Sequence, residues 1–214
     1  MCYSAEASFI SLCIGLLGSI SVYTLNTMFD KIFALFLGYV SLMQGIELIL
    51  WNNQKCDAFH KRISFLGMLL NLSQPVILAI IILLISNRNE FKLYIAIIIF
   101  IYILYGLYFI DSYKTDLQCT NPRPNNPHLV WNWTILSSWW LDNLIYIITI
   151  SIIAILGMPS LNQGIIFAGG LTISMIISSI VYQRENMGSM WCFISALSPP
   201  LFYLYRKIGF YQPI

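Results

Sequence analysis

The stretch FKLYIAIIIFIYILYGLYFI, residues 91–110, decides the fold. Its centre, 95–100, is apolar on every side. An α-helix needs about 20 largely apolar residues to cross the ~30 Å hydrocarbon core of a bilayer. Lipid offers the backbone no hydrogen-bond partner, so a crossing segment is either a helix or a strand of a closed barrel. Barrel strands are about ten residues long and alternate polar with apolar side chains. The stretch 91–110 shows no such alternation, and residues 145–156 are interrupted only by Thr149 and Ser151. Both read as membrane helices.

Runs of the same kind recur outward in both directions, between short polar breaks. They cover 8–25, 31–51, 63–86, 91–110, 134–156, 164–182 and 188–205. The expected fold is therefore all-α, a polytopic transmembrane bundle of about seven helices forming a single domain over 1–214. Pro199 and Pro200 are expected to kink the seventh span, because proline removes backbone donors. Met1–Thr24 has no basic start and carries Glu6 ahead of its apolar run, so the first helix is expected to be retained rather than cleaved.

Composition agrees. Charged residues are only 9% of the 214, against 58% hydrophobic, and mean hydropathy is +0.76. A soluble fold so poor in charge would expose large apolar patches. The net charge of +2 and the lack of a Lys/Arg-rich run give no footprint for nucleic acid. Orientation is not set by charge. With seven spans, the N-terminal side holds Lys55, Lys61, Arg62, Lys114, Arg123 and Arg184, and the opposite side holds Lys31, Arg88, Lys92, Arg206 and Lys207. That is six against five, too even for the positive-inside rule. Asn132-Trp133-Thr134 is a formal glycosylation acceptor, but it abuts the fifth span and is expected to be unused.

The strongly polar residues fall in one leaflet. Glu6, Gln44, Glu47, Asn71, Gln74, Asp111, Asp142, Asn143, Ser189 and Cys192 all sit toward the N-terminal side of their spans. A charge inside a bilayer costs several kcal/mol unless paired or hydrated. Glu47 and Asp142 are therefore expected to face the bundle interior. Gln44 and Glu47 share one helix face, as do Asn71 and Gln74. The expected picture is a polar cavity open to the N-terminal side above an apolar plug, with Glu47, Gln44, Asn71, Gln74, Asp142, Asn143, Glu6 and Trp191 as candidate ligand-binding residues. The competing reading makes the amides ordinary interhelical glue, and Glu6 only a carboxylate favoured by the helix start, with Ser4 as its cap. Trp51, Trp131, Trp133, Trp139, Trp140 and Trp191 read as an interfacial aromatic belt, some lining the cavity mouth.

Cys13 and Cys192 fall in spans and read as packing residues. Cys2, Cys56, Cys119, His60 and His128 all fall on the N-terminal side. Cys56, His60, Cys119 and His128 are a candidate zinc set. A disulfide between two of Cys2, Cys56 and Cys119 is the alternative if that side faces an oxidising compartment. No cofactor is required.

Several stretches together resemble a known family. They are Met1-Cys2-Tyr3-Ser4-Ala5-Glu6-Ala7-Ser8, Gly38-Tyr39 followed by Glu47 and Cys56, Gln74-Pro75, and Gly188-Ser189-Met190-Trp191-Cys192. The family is one of multi-span membrane proteins, described only as a domain of unknown function, with members in bacteria, protists and large DNA viruses. Ser73 stands where that family has Phe before Gln-Pro. The resemblance implies a seven-helix fold and no activity. The Ile- and Asn-rich composition would suit an AT-rich genome such as a large virus's, and the membrane would then be the host's or the virion's.

Function is bounded mostly by exclusion. No span carries the deep lysine of a retinal protein. No histidine cluster lies among the spans for a zinc hydrolase of the ceramidase kind. No membrane Ser–His pair serves an intramembrane serine protease. Asp111 and Asp142 lack the Gly-Asp setting of aspartyl intramembrane proteases, and no P-loop or dinucleotide fingerprint occurs. Two classes remain. One is a transporter or receptor-like binder of an ion or small polar solute. The alternative is an intramembrane enzyme acting on a lipid headgroup, with a carboxylate as general base, with or without a metal held by Cys56, His60, Cys119 and His128. The partners expected are the bilayer and an ion, solute or lipid ligand. Gly169-Gly170, Ser174 and Ser178 form a small-residue strip that permits close packing within or between subunits.

Overall fold

The computed structural model describes residues 4–113, 119–123, 126–131, 139–181 and 186–208. Residues 1–3 with Cys2, Lys114, the acceptor at 132–134 with Trp133, and Arg184 lie outside them, as do the side chains of Trp139 and Trp140. Seven helices follow one another among the described residues: α1 Ala5–Tyr23, α2 Met28–Asn52, α3 Ala58–Ile85, α4 Lys92–Tyr113, α5 Trp139–Gly157, α6 Leu161–Val181 and α7 Met187–Lys207. A short antiparallel hairpin, β1 Asn121–Arg123 and β2 Asn126–Val130, lies between α4 and α5. Among the described residues, α1, α2, α3, α4 and α6 are long and apolar enough to cross a membrane, and Leu141–Gly157 of α5 is a shorter apolar helix. The chain is a polytopic helical membrane bundle.

Local chemistry sets the helix starts. Ser4 accepts from the Ala7 N–H at 3.2 Å. Thr27 and Asp30 make a reciprocal capping box on α2, and Asp57 accepts from the His60 N–H at 2.8 Å. Each satisfies an N–H that the first turn leaves without an intrahelical partner. The turn before α2 uses Asn26 at φ 70°, a left-handed conformation that Asn tolerates better than most residues.

Helix α1 is built for close approach. Its buried residues are Ser8, Ser11, Gly15, Gly18, Ser19 and Val22, while Phe9, Ile10, Leu17 and Ile20 face outward. In lipid, apolar side chains gain nothing by leaving the surface, so small residues line the contacts between helices. A Cβ on Gly18 would lie 2.4 Å from Pro200 Cδ and 2.7 Å from Pro200 N. This contact seats α1 on the proline pair of α7, which runs as one continuous helix through both prolines. The helix thus continues past the proline pair rather than ending there. Gly18→Ala is expected to destabilise the bundle by ~1–3 kcal/mol through overpacking against backbone. Gly169→Ala, where a Cβ meets nothing within 4 Å, is expected to leave thermal melting in detergent unchanged. Among the described residues, Gly169 and Gly170 of the α6 strip thus have open space where a Cβ would stand. The serines of the strip face neighbours: Ser178 is buried, and Ser174 takes a hydrogen bond from α7.

Two rims hold the bundle. On the side away from the N-terminus, Arg206 at the end of α7 pairs with the buried Asp30 at the start of α2 at 3.1 Å. Arg88 there donates to the Ile155 carbonyl and lies 4.3 Å from the Phe91 ring centroid. Glu90 beside it is held below the usual carboxylate range, by its own backbone hydrogen bond and then by Arg88. On the N-terminal side the rim is the hairpin, tied by a Cys56–Cys119 disulfide. Among the described residues α4 packs chiefly on α3 and α5 and turns Leu93, Ile97, Phe100, Leu104 and Tyr108 outward.

Candidate functional site

Gln44 and Glu47 lie one turn apart on α2, and both are fully buried. The Ser11 hydroxyl of α1 donates to Gln44 Oε1 at 2.8 Å. From α7, the Ser189 hydroxyl donates to Glu47 Oε1. On α3 the buried Gln74 accepts from the Tyr146 hydroxyl of α5, and its Nε2 lies 3.9 Å from Cys192 Sγ of α7. The Tyr146 ring meets Trp191 edge to face at 5.6 Å, and the Trp191 indole N–H donates to Ser174 of α6 at 2.9 Å. One buried polar layer thus draws on α1, α2, α3, α5, α6 and α7.

The layer is closed on the N-terminal side. Trp131, directly after β2, is buried and donates its indole N–H to Ser189 Oγ at 3.1 Å. Gly67 of α3 makes room for that ring, since a Cβ there would lie 2.6 Å from Trp131 Cη2. The strand leading to Trp131 is anchored in turn. The Thr120 N–H donates to Ser64 Oγ at 3.3 Å, and Leu129 and Val130 are buried. His60, in the first turn of α3, sets one ring nitrogen on the Asn53 carbonyl and the other 2.9 Å from the Thr120 carbonyl. Burial pushes the His128 imidazole below its ordinary value.

Several expectations need correction. Where a cavity open toward the N-terminus was expected, Trp131 folds inward over Ser189 among the described residues. Trp131 and Trp191 are core residues rather than members of an interfacial belt. The proposed zinc ligands do other work. Cys56 and Cys119 are bonded to each other, with Cα atoms 5.6 Å apart, and so offer no thiolate. His60 lies in the first turn of α3, and both its ring nitrogens face backbone carbonyls. Among the described residues no group of three His, Cys, Asp or Glu side chains is arranged to hold a metal.

The candidate residues divide. Glu47, Gln44, Gln74 and Trp191 meet in the buried layer. Asp142 takes part in a second group between α4 and α5, where the Tyr105 hydroxyl donates to its Oδ1. Asn71 and Asn143 are half-buried, and Glu6 is exposed at the start of α1. Sequence reasoning missed Tyr146, Tyr105, Tyr102 and the role of Trp131. The Asn- and Pro-rich run 121–127 signals a turn, but the strands beside it are too short and polar to be read as a hairpin. Searches of the chain against family models, curated proteins and solved structures find no match.

Proposed function

We propose that this chain is a gated transporter or receptor-like binder of an ion or small polar solute, with Glu47 at its site. One observation carries the reading: a fully buried carboxyl in a membrane bundle, hydrogen-bonded through Ser189 to an indole that belongs to a separate cap. Burying a carboxylate costs several kcal/mol, whereas an apolar residue at the same place would pack without that cost. Gln44, one turn away on the same helix, and Gln74 on α3 supply amide groups able to bond a polar ligand. The hairpin is held by the Cys56–Cys119 disulfide, by hydrogen bonds and by the burial of Leu129, Val130 and Trp131, but it is part of no helix, so it can shift without unfolding one. Access then comes from the N-terminal side when Trp131 withdraws. The disulfide supports placing that side in an oxidising compartment. The alternative of a metal-dependent enzyme loses its thiolate donors to that same bond.

Cys192 offers a test that requires no destabilising substitution. It is a free, buried cysteine beside Gln74. In folded protein in lipid, a charged methanethiosulfonate reagent is expected to modify Cys192 slowly from the N-terminal side, with Cys192→Ser as the control. Modification seen only in denaturant would mean that the layer never opens, and the reading would fail.

A further inference from the structure

We infer that Asp142, Tyr105 and Tyr102 form a site for a monovalent metal cation, Na⁺ or K⁺, between α4 and α5. The site adjoins the Glu47 layer, since Tyr102 is also within electrostatic reach of Tyr146, and it goes beyond the function proposed for that layer. Asp142 Oδ1 accepts the Tyr105 hydroxyl, but its Oδ2 is buried with no hydrogen-bond partner among the described residues. Tyr102 is only 4% exposed, and its hydroxyl is likewise buried without a partner among them. Tyr102 and Tyr105 are three residues apart on α4, with ring centroids at 6.1 Å, and Tyr102 lies within electrostatic reach of the Asp142 charge. The residues that carry the two orphaned oxygens are thus linked through Tyr105, whose hydroxyl bonds Asp142 and whose ring lies beside that of Tyr102.

A buried polar group left without a partner loses its hydration and gains nothing in return, so leaving two together needs a reason. No lysine or arginine among the described residues pairs with Asp142. What would complete the site is a species that takes lone pairs from a carboxylate oxygen and from phenolic oxygens at once, which a metal cation does. Its charge follows from the ligands. One carboxylate and two neutral hydroxyls balance a single positive charge, whereas Ca²⁺ takes six to eight oxygens, commonly from several carboxylates. Asp142 is only half-buried as a residue, which leaves a way in.

The experiment is thermal unfolding of the full chain in nanodiscs, in NaCl, KCl and N-methylglucamine chloride at matched ionic strength and pH. Native protein is expected to be stabilised saturably by Na⁺ or K⁺, the unfolding constant falling ~100-fold at a cation concentration of about 100 Kd. Tyr102→Phe and Asp142→Asn should lose that response, while Glu47→Gln keeps it. In the N-methylglucamine salt, Tyr102→Phe should be at least as stable as the native chain, because it removes only an orphaned hydroxyl. This variant keeps the test decisive if Asp142→Asn folds poorly. Equal melting in all three salts would overturn the proposal in favour of a bridging water. A response that follows pH but not the metal cation would overturn it in favour of a proton, and full retention of the cation response in both variants would overturn it outright.

Discussion

Trp131→Ala is expected to lower stability by ~3–5 kcal/mol, the range for truncating a buried tryptophan. The ring fills the space that Gly67 leaves in α3, and its N–H bonds Ser189, which in turn bonds Glu47. The truncation creates a cavity and removes the N-terminal-side cover of the polar layer in one step. Thermal melting should show the loss, and the Cys192 modification rate should rise by an order of magnitude or more. Gly67→Val should reproduce the second effect by pushing the ring out from the other side, at ~1–3 kcal/mol for overpacking. If Trp131→Ala melts like the native chain and leaves Cys192 as protected as before, the hairpin is not the cap.

The second large effect is on the Cys56–Cys119 bond, which spans a sequence separation of 63. Closing a loop of that length removes enough chain entropy from the unfolded state to be worth ~2–4 kcal/mol. The lower part of that range is expected, because α3 and α4 lie within the loop and stay confined by the membrane even when tertiary packing is lost. Reduction, or the paired change Cys56→Ser with Cys119→Ser, should lower the melting point and raise Cys192 reactivity. The paired variant should then show no further response to reductant. If reduction leaves both readouts unchanged, the hydrogen bonds that Thr120 makes with His60 and Ser64 hold the cap without the disulfide.

The helices were legible because the physics behind them is local. A bilayer demands long apolar runs, and each run in this sequence announces itself, with ends misplaced by a few residues where polar caps such as Thr27 and Asp57 extend the helix beyond its apolar part. The burial of Glu47 was legible for the same reason, since a carboxylate at that depth has nowhere else to go. What sequence could not supply was pairing between distant segments. Ser189 lies 142 residues from Glu47, and Tyr146 lies 72 from Gln74. No periodicity encodes those meetings. Trp131 was misread because an indole near a span end suits an interface and a core equally well. The cysteines left two readings open, and only the folded path of the chain brings Cys56 to Cys119.

The central claim is that the Glu47 layer is a binding site and not only the glue that joins helices. A density map of the native chain in lipid nanodiscs tests it most directly. The account predicts a molecule or ion bounded by Glu47, Gln44 and Gln74, with the Ser189–Glu47 hydrogen bond replaced or shared. A dry layer, in which those side chains bond only to one another in every class of particle, would contradict it.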